Sequence, residues 1–172
     1  MKNKNLTHKQ YQFLYLREGL TIAMKNVLDT NGMAGFIMCF CSIDWMAQYY
    51  FGRDTKADDY KEFVKRFLPK DYDAEEMYAD LRCGLVHNYT NKGCRQKYDL
   101  REDRASSHLQ LGRVRGNPHV QLKVLNLSNF KEDLRSALAK LFDILEKNPE
   151  MKTRAVLRYR NVGIFYGHIE TE

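Results

Sequence analysis

The run from Met33 to Tyr50 is apolar on most sides of a helix, and it constrains the fold more than any other part of the sequence. It contains two cysteines and one acidic residue, Asp44, which argues against a membrane-spanning segment. The run is therefore predicted to be a buried helix, around which amphipathic segments pack. Charged residues make up 29% of the chain, and this also argues against a membrane protein.

Helical periodicity predicts four further helices, at about residues 8–28, 58–68, 72–89 and 128–147. Residues 92–126 differ from them, because they hold several turns and a run that alternates with period two from His119 to Val124. The expected fold is mainly α, an antiparallel helical bundle with a β-rich insertion before the last helix. We expect one helical domain over residues 1–147, with residues 148–172 forming a basic tail or a strand pair.

The first ten residues are polar and basic, without the apolar stretch of a secretory signal. A disulfide framework is not expected for the four cysteines, because the chain has enough apolar residues to build a core. These two features predict a cytoplasmic protein with reduced thiols.

The net charge of +6 is unevenly distributed along the chain. Residues 53–80 carry a local charge of −3, whereas residues 92–123 carry +5 and residues 147–160 carry +4. Such an excess is typical either of a solvated basic face or of a surface that attracts nucleic acid. On the second interpretation, the insertion and the tail would guide RNA toward an active site.

The segment from Leu81 to Tyr89 carries the most informative motif, an arginine followed by His87 and then by Tyr89 in the pattern R-x4-H-x-Y. Other Arg-to-His spacings occur only in the turn-rich insertion, so helical context selects Arg82. The motif and the helix order resemble the HEPN superfamily over about residues 8–147. This family includes metal-independent endoribonucleases of toxin–antitoxin, CRISPR and antiviral-defence systems.

The resemblance implies RNA cleavage by Arg82 and His87, without cofactor or metal. Histidine exchanges protons near neutral pH, and arginine stabilises the charge that develops on phosphate. Five residues correspond to a rotation of about 140° along an α-helix, so the two side chains of one copy are expected to point apart. The resemblance supplies a homodimer that pools two copies in one cleft, and a possible antitoxin or nucleotidyltransferase partner.

Several residues around the motif have two interpretations. Cys83 stands where the family often has a polar residue, so the alternative function is a non-catalytic module that binds RNA, a nucleotide or a protein. Asp44 is either a structural partner of Arg82 or a carboxylate that orients it for catalysis. Asn88 is expected to cap the helix or to contact phosphate. Tyr89 is an ordinary helix-end residue or, by the resemblance, a site of AMP transfer.

Competing chemistries have weaker support. Cys83 and His87 are four residues apart and share a helical face, which permits a nucleophile pair or two metal ligands with Cys94 as a third. No accompanying metal motif occurs, so neither is preferred. The other four histidines are predicted to be surface residues, namely His8, His108, His119 and His168.

Overall fold

The computed structural model describes residues 8–88, 98–103, 105–114 and 116–162. Six α-helices dominate it, so the mainly α prediction is confirmed. They are α1 (His8–Asp29), α2 (Gly32–Phe51), α3 (Ala57–Phe67), α4 (Cys83–Asn88), α5 (Leu127–Lys147) and α6 (Pro149–Val162). A π-helix, Glu76–Arg82, leads directly into α4.

Helix α2 is the centre of the fold, because it packs against every other helix. Its buried residues are Gly35, Phe36, Cys39, Phe40, Ser42, Ile43, Met46, Ala47 and Tyr49. Gly35 permits the close approach of the preceding turn, since a Cβ there would lie 2.5 Å from the Thr30 carbonyl oxygen and 2.9 Å from Leu127 Cδ2. The helix ends at Gly52, whose φ of 70° suits a residue without a side chain.

Helices α1, α3 and α5 each bury one apolar stripe against this centre. The stripe of α1 comprises Phe13, Leu16, Leu20, Met24 and Val27. That of α3 comprises Tyr60, Phe63, Val64 and Phe67. Lys131 of α5 joins two of these helices, because its Nζ donates to the Leu28 carbonyl oxygen at 2.7 Å and to Asn31 Oδ1 at 3.0 Å.

The predicted β-rich insertion is confirmed within the described residues. Three strands form one sheet in the order β1-β3-β2, with β1 at Tyr98–Arg101, β2 at Leu111–Val114 and β3 at Asn117–Asn126. Strand β3 runs parallel to β1 and antiparallel to β2. It leads into α5, where the Asn126 side chain caps the helix by accepting from Asn129 N–H at 3.1 Å.

The prediction of a tail or strand pair over residues 148–172 is wrong for its first part, which forms α6. Asn148 caps this helix by accepting from Met151 N–H at 3.1 Å. The apolar residues that suggested strands fall at helical spacing, and Ala155, Val156 and Tyr159 are buried in the common core. Helix α6 therefore belongs to the helical domain, while residues 163–172 lie outside the described residues.

Candidate functional site

The helix that carries the motif begins at Asp73, whose Oδ1 accepts from the N–H groups of Glu75 and Glu76 at 2.9 and 3.0 Å. It widens into the π-helix, in which Cys83 N–H bonds to the carbonyl oxygen five residues earlier, that of Tyr78. Leu81 and Leu85 are fully buried and fix the helix on the core. π-Helical segments within α-helices are frequent at functional sites.

Three groups hold the Arg82 guanidinium. Its Nε donates to Asp44 Oδ2 at 3.0 Å, so the predicted partner of Asp44 is present in the structure. Its Nη1 lies 3.0 Å from His87 Nε2. The Tyr78 ring lies beneath the cation, with its centroid 5.7 Å from Cζ. The guanidinium is thus anchored from one side by a carboxylate and reaches a histidine on the other.

The expectation that Arg82 and His87 of one copy would point apart is wrong. The step from Arg82 to His87 does run through the regular α-helix α4, but the rotation describes only the directions of the Cβ atoms and takes no account of side-chain length. The arginine side chain is also long enough to span the remaining rotation once its Nε is tied to Asp44. One chain therefore brings the two motif residues within hydrogen-bond distance of each other.

The contact with Arg82 uses one ring nitrogen of His87. A guanidinium only donates hydrogen bonds, so in this contact Nε2 of His87 is the acceptor. His87 is exposed to solvent, and Nδ1 has no partner in the part of the chain that the structure describes. The imidazole is consequently accessible to solvent and next to an anchored cation.

Asp44 is half-buried, and its surroundings oppose its ionisation. Burial raises the pKa of the Asp44 carboxyl above its ordinary value of 3.8, while the hydrogen bond and the charge of Arg82 lower it in part. The Tyr60 ring is fully buried nearby, and its hydroxyl has no hydrogen-bond partner within the described residues. The loop after α2 supports the same region, because Thr55 Oγ1 donates to the Asp44 carbonyl oxygen at 2.7 Å.

The remaining motif residues contribute less to the described geometry. Cys83 Sγ lies 3.9 Å from Arg82 Nη1, at the edge of hydrogen-bond distance for sulfur. Tyr89 and Cys94 lie outside the described residues, as does the side chain of Asn88, so their predicted roles stay predictions. Among the residues that are described, no three His, Cys, Asp or Glu side chains gather as metal ligands would.

A second histidine cluster was missed, because His108 was predicted to be a surface residue. Its side chain is only 12% exposed. Nδ1 accepts from the backbone N–H of Asn126 at 3.1 Å, and Nε2 lies 2.9 Å from the Tyr72 hydroxyl, which donates to Asp133 at 2.7 Å. Both ring nitrogens are used internally, so this cluster joins the end of β3 to α5.

No protein-family model matches the chain, and neither the curated proteins nor the solved structures include a significant match. Across the described residues, no helix combines the length and the apolarity that crossing a membrane requires.

Proposed function

We propose that this chain is a metal-independent endoribonuclease of HEPN type. The observation that carries the proposal is the contact between an anchored guanidinium and an exposed histidine, Arg82 Nη1 to His87 Nε2 at 3.0 Å. A fixed cation and a group that exchanges protons near neutral pH are the two components that RNA cleavage needs when no metal takes part. The cytoplasmic location and the roles in toxin–antitoxin or antiviral systems belong to the same proposal.

The proposed reaction is attack of a ribose 2′-oxygen on the adjacent phosphorus. When a phosphate oxygen takes the Nη1 donor of Arg82, His87 Nε2 is released and accepts the proton of the 2′-hydroxyl. The bond from phosphorus to the 5′-oxygen then breaks, and that oxygen takes a proton. The products are a 2′,3′-cyclic phosphate and a 5′-hydroxyl, while Arg82 stabilises the additional negative charge in between.

Asp44 is a positioning residue in this scheme, because its carboxylate directs Arg82 without reaching the phosphate. One His87 supplies one proton-exchanging group, whereas the reaction uses a base and an acid. A homodimer that places a second His87 in the same cleft would supply both, and an antitoxin or nucleotidyltransferase partner would control it. Asn88 and Tyr89 follow His87 and are the proposed substrate contacts.

The test is cleavage of a mixed RNA substrate by the full chain in excess EDTA. We expect cleavage to persist with the chelator and to fall at least 100-fold in His87→Ala. His119→Ala is the matched control, since it removes an exposed histidine from β3. Full activity in a folded His87→Ala variant, or equal losses in both variants, would contradict the proposal.

The second candidate is a non-catalytic module that binds RNA, a nucleotide or a protein. The observation in its favour is Cys83, which lies beside Arg82. Its side chain is only weakly polar and has no carboxylate or amide group that could assist proton exchange. For an RNA ligand it predicts binding that weakens with salt, without cleavage products at any enzyme concentration. Cleavage products that depend on Arg82 would exclude it.

A further inference from the structure

Helix α2 is buried on most sides, yet one stripe of it reaches solvent. We call this stripe the α2 groove. It consists of Cys41, Asp44, Trp45 and Gln48, all of which are partly exposed. Asp44 and Gln48 are four residues apart, which is one helical turn and a rise of about 6 Å. A side chain that contacts Asp44 therefore approaches α2 one turn away from a side chain that contacts Gln48.

Each of these two polar residues accepts a hydrogen bond from an arginine on a different helix. Asp44 accepts from Arg82, as described above. Gln48 Oε1 accepts from Nη2 of Arg158 on α6, at 3.1 Å. The α2 groove thus places two guanidinium groups in succession along one helix, although residues 82 and 158 are far apart in sequence.

Arg158 is not fully satisfied by its partners. Its Nη2 also donates to Asp54, but its Nε is buried without a hydrogen-bond partner among the described residues. The Arg158 side chain is 17% exposed, whereas that of Asp54 is 86% exposed. A carboxylate that is almost entirely in water is held weakly, so a stronger anion can replace it.

The surroundings of Arg158 add positive charge. Arg154 lies one turn earlier on α6 and is exposed; its Cβ would be 2.9 Å from a Cβ built at Gly52. Arg53 follows that glycine and is also exposed. Three arginines and the carboxylates of Asp54 and Asp59 therefore meet at this end of the α2 groove, because Arg53 pairs with Asp59 and Arg158 with Asp54, and the excess is one positive charge.

We propose that Arg158 forms a second phosphate subsite, which binds the RNA backbone next to the phosphate held by Arg82. The inference rests on the proposed function for the identity of the ligand. The two α2 residues that accept from these guanidinium groups are about 6 Å apart along the helix axis, so a single strand that contacts Arg82 runs past the Arg158 side as well. In the unbound protein Asp54 occupies the subsite, and a backbone phosphate displaces it, since guanidinium groups bind phosphate with two donors.

The experiment measures binding of oligouridylates in a His87→Ala background, which prevents cleavage. Trp45 is the only tryptophan and lies in the α2 groove, so its fluorescence reports occupancy. We expect Arg158→Gln to weaken binding of a hexanucleotide about tenfold and to leave a dinucleoside monophosphate unaffected. The slope of log affinity against log salt should fall by about 0.7 for the hexanucleotide.

Two matched controls remove charge elsewhere. Arg17→Gln removes an exposed arginine that pairs with Glu146 on α5. It should leave the affinity for the hexanucleotide and for the dinucleoside monophosphate unchanged. Asp54→Asn should strengthen hexanucleotide binding several-fold because it vacates the subsite. Asp143→Asn removes an exposed carboxylate that pairs with Lys147, and it should have no such effect.

The outcomes separate this inference from the proposed function. If the native chain cleaves RNA but Arg158→Gln and Asp54→Asn behave as their controls, the subsite is overturned and the function stands. If the native chain binds without cleaving and both variants shift as expected, the subsite stands and catalysis is overturned. If Arg158→Gln does not fold, the hexanucleotide affinity of Asp54→Asn decides whether the subsite exists. If the protein binds no RNA at all, both the subsite and the proposed function are overturned.

Discussion

The two histidine clusters of this protein use the same side chain in opposite ways. Both ring nitrogens of His108 form hydrogen bonds within the protein, one with the Asn126 backbone and one with the Tyr72 hydroxyl. His87 is exposed and uses one nitrogen, toward Arg82. The first is a structural joint between sheet and helices, and the second is available for proton exchange. The two roles differ in how many ring nitrogens have a protein partner, two in His108 and one in His87, and less in whether a carboxylate is close.

The largest expected effect tests the Arg82 side of this comparison. Arg82→Lys keeps the positive charge but cannot donate to Asp44 and His87 in the same fixed geometry. We expect the initial rate of RNA cleavage to fall at least 100-fold, with the free energy of unfolding changed by less than about 1 kcal/mol. A rate close to that of the native chain would mean that only charge matters here.

Removal of the buried histidine should have the reverse pattern. His108→Ala leaves the buried Asn126 N–H without an acceptor and creates a small cavity, so we expect a loss of about 2–3 kcal/mol in urea unfolding. Cleavage per folded molecule should stay the same. His119→Ala serves as control and should stay within about 0.5 kcal/mol. A cleavage defect in fully folded His108→Ala would break the distinction between the clusters.

A smaller effect sharpens the account of the His108 cluster. Tyr72→Phe removes the hydroxyl that links His108 to Asp133, at a cost of about 1–2 kcal/mol. Because the three side chains form one network, the loss in the double variant with His108→Ala should be less than the sum of the single losses. Additive losses in urea unfolding would show that His108 and Tyr72 act independently.

The smallest expected effect is a pH dependence from Asp44. Burial raises the pKa of the folded Asp44 carboxyl above its value of 3.8 in the unfolded chain, so the folded state keeps this proton to higher pH. The contribution of the protonated Asp44 carboxyl to the free energy of unfolding is complete below about pH 4. It is lost as the pH rises through the pKa of the folded state. The stability of the native chain relative to Asp44→Asn should therefore decline from pH 4 toward neutrality. A relative stability that rises over this range would contradict the assignment.

The sequence predicts the helices well where apolar residues repeat over many turns, as in α1 and α5. It missed α6 because Val and Tyr favour strands locally, and packing against α1 and α2 overrode that preference. Two signals were present. Asn148-Pro149-Glu150 has the order of a helix start, and Met151, Ala155 and Tyr159 repeat with helical spacing.

The site was predictable in part. The pairing of Asp44 with Arg82 follows from the cost of leaving a carboxylate unpaired in an apolar helix. The contact between Arg82 and His87 does not follow, because the helical rotation of about 140° separates the two Cβ directions and only the long arginine side chain bridges them. No local pattern predicts the environment of His108, since Tyr72 and Asp133 reach it from distant parts of the chain.

The position of Asp44 on α2 has one further consequence. A ligand that contacts Arg82 is coupled through Asp44 to the helix on which the whole core is built, rather than to a separate loop. Such a ligand shifts the folding equilibrium of the entire domain by mass action, so its dissociation constant becomes readable from the melting temperature. A library of nucleotides could be screened by thermal shift alone, before any cleavage assay is established.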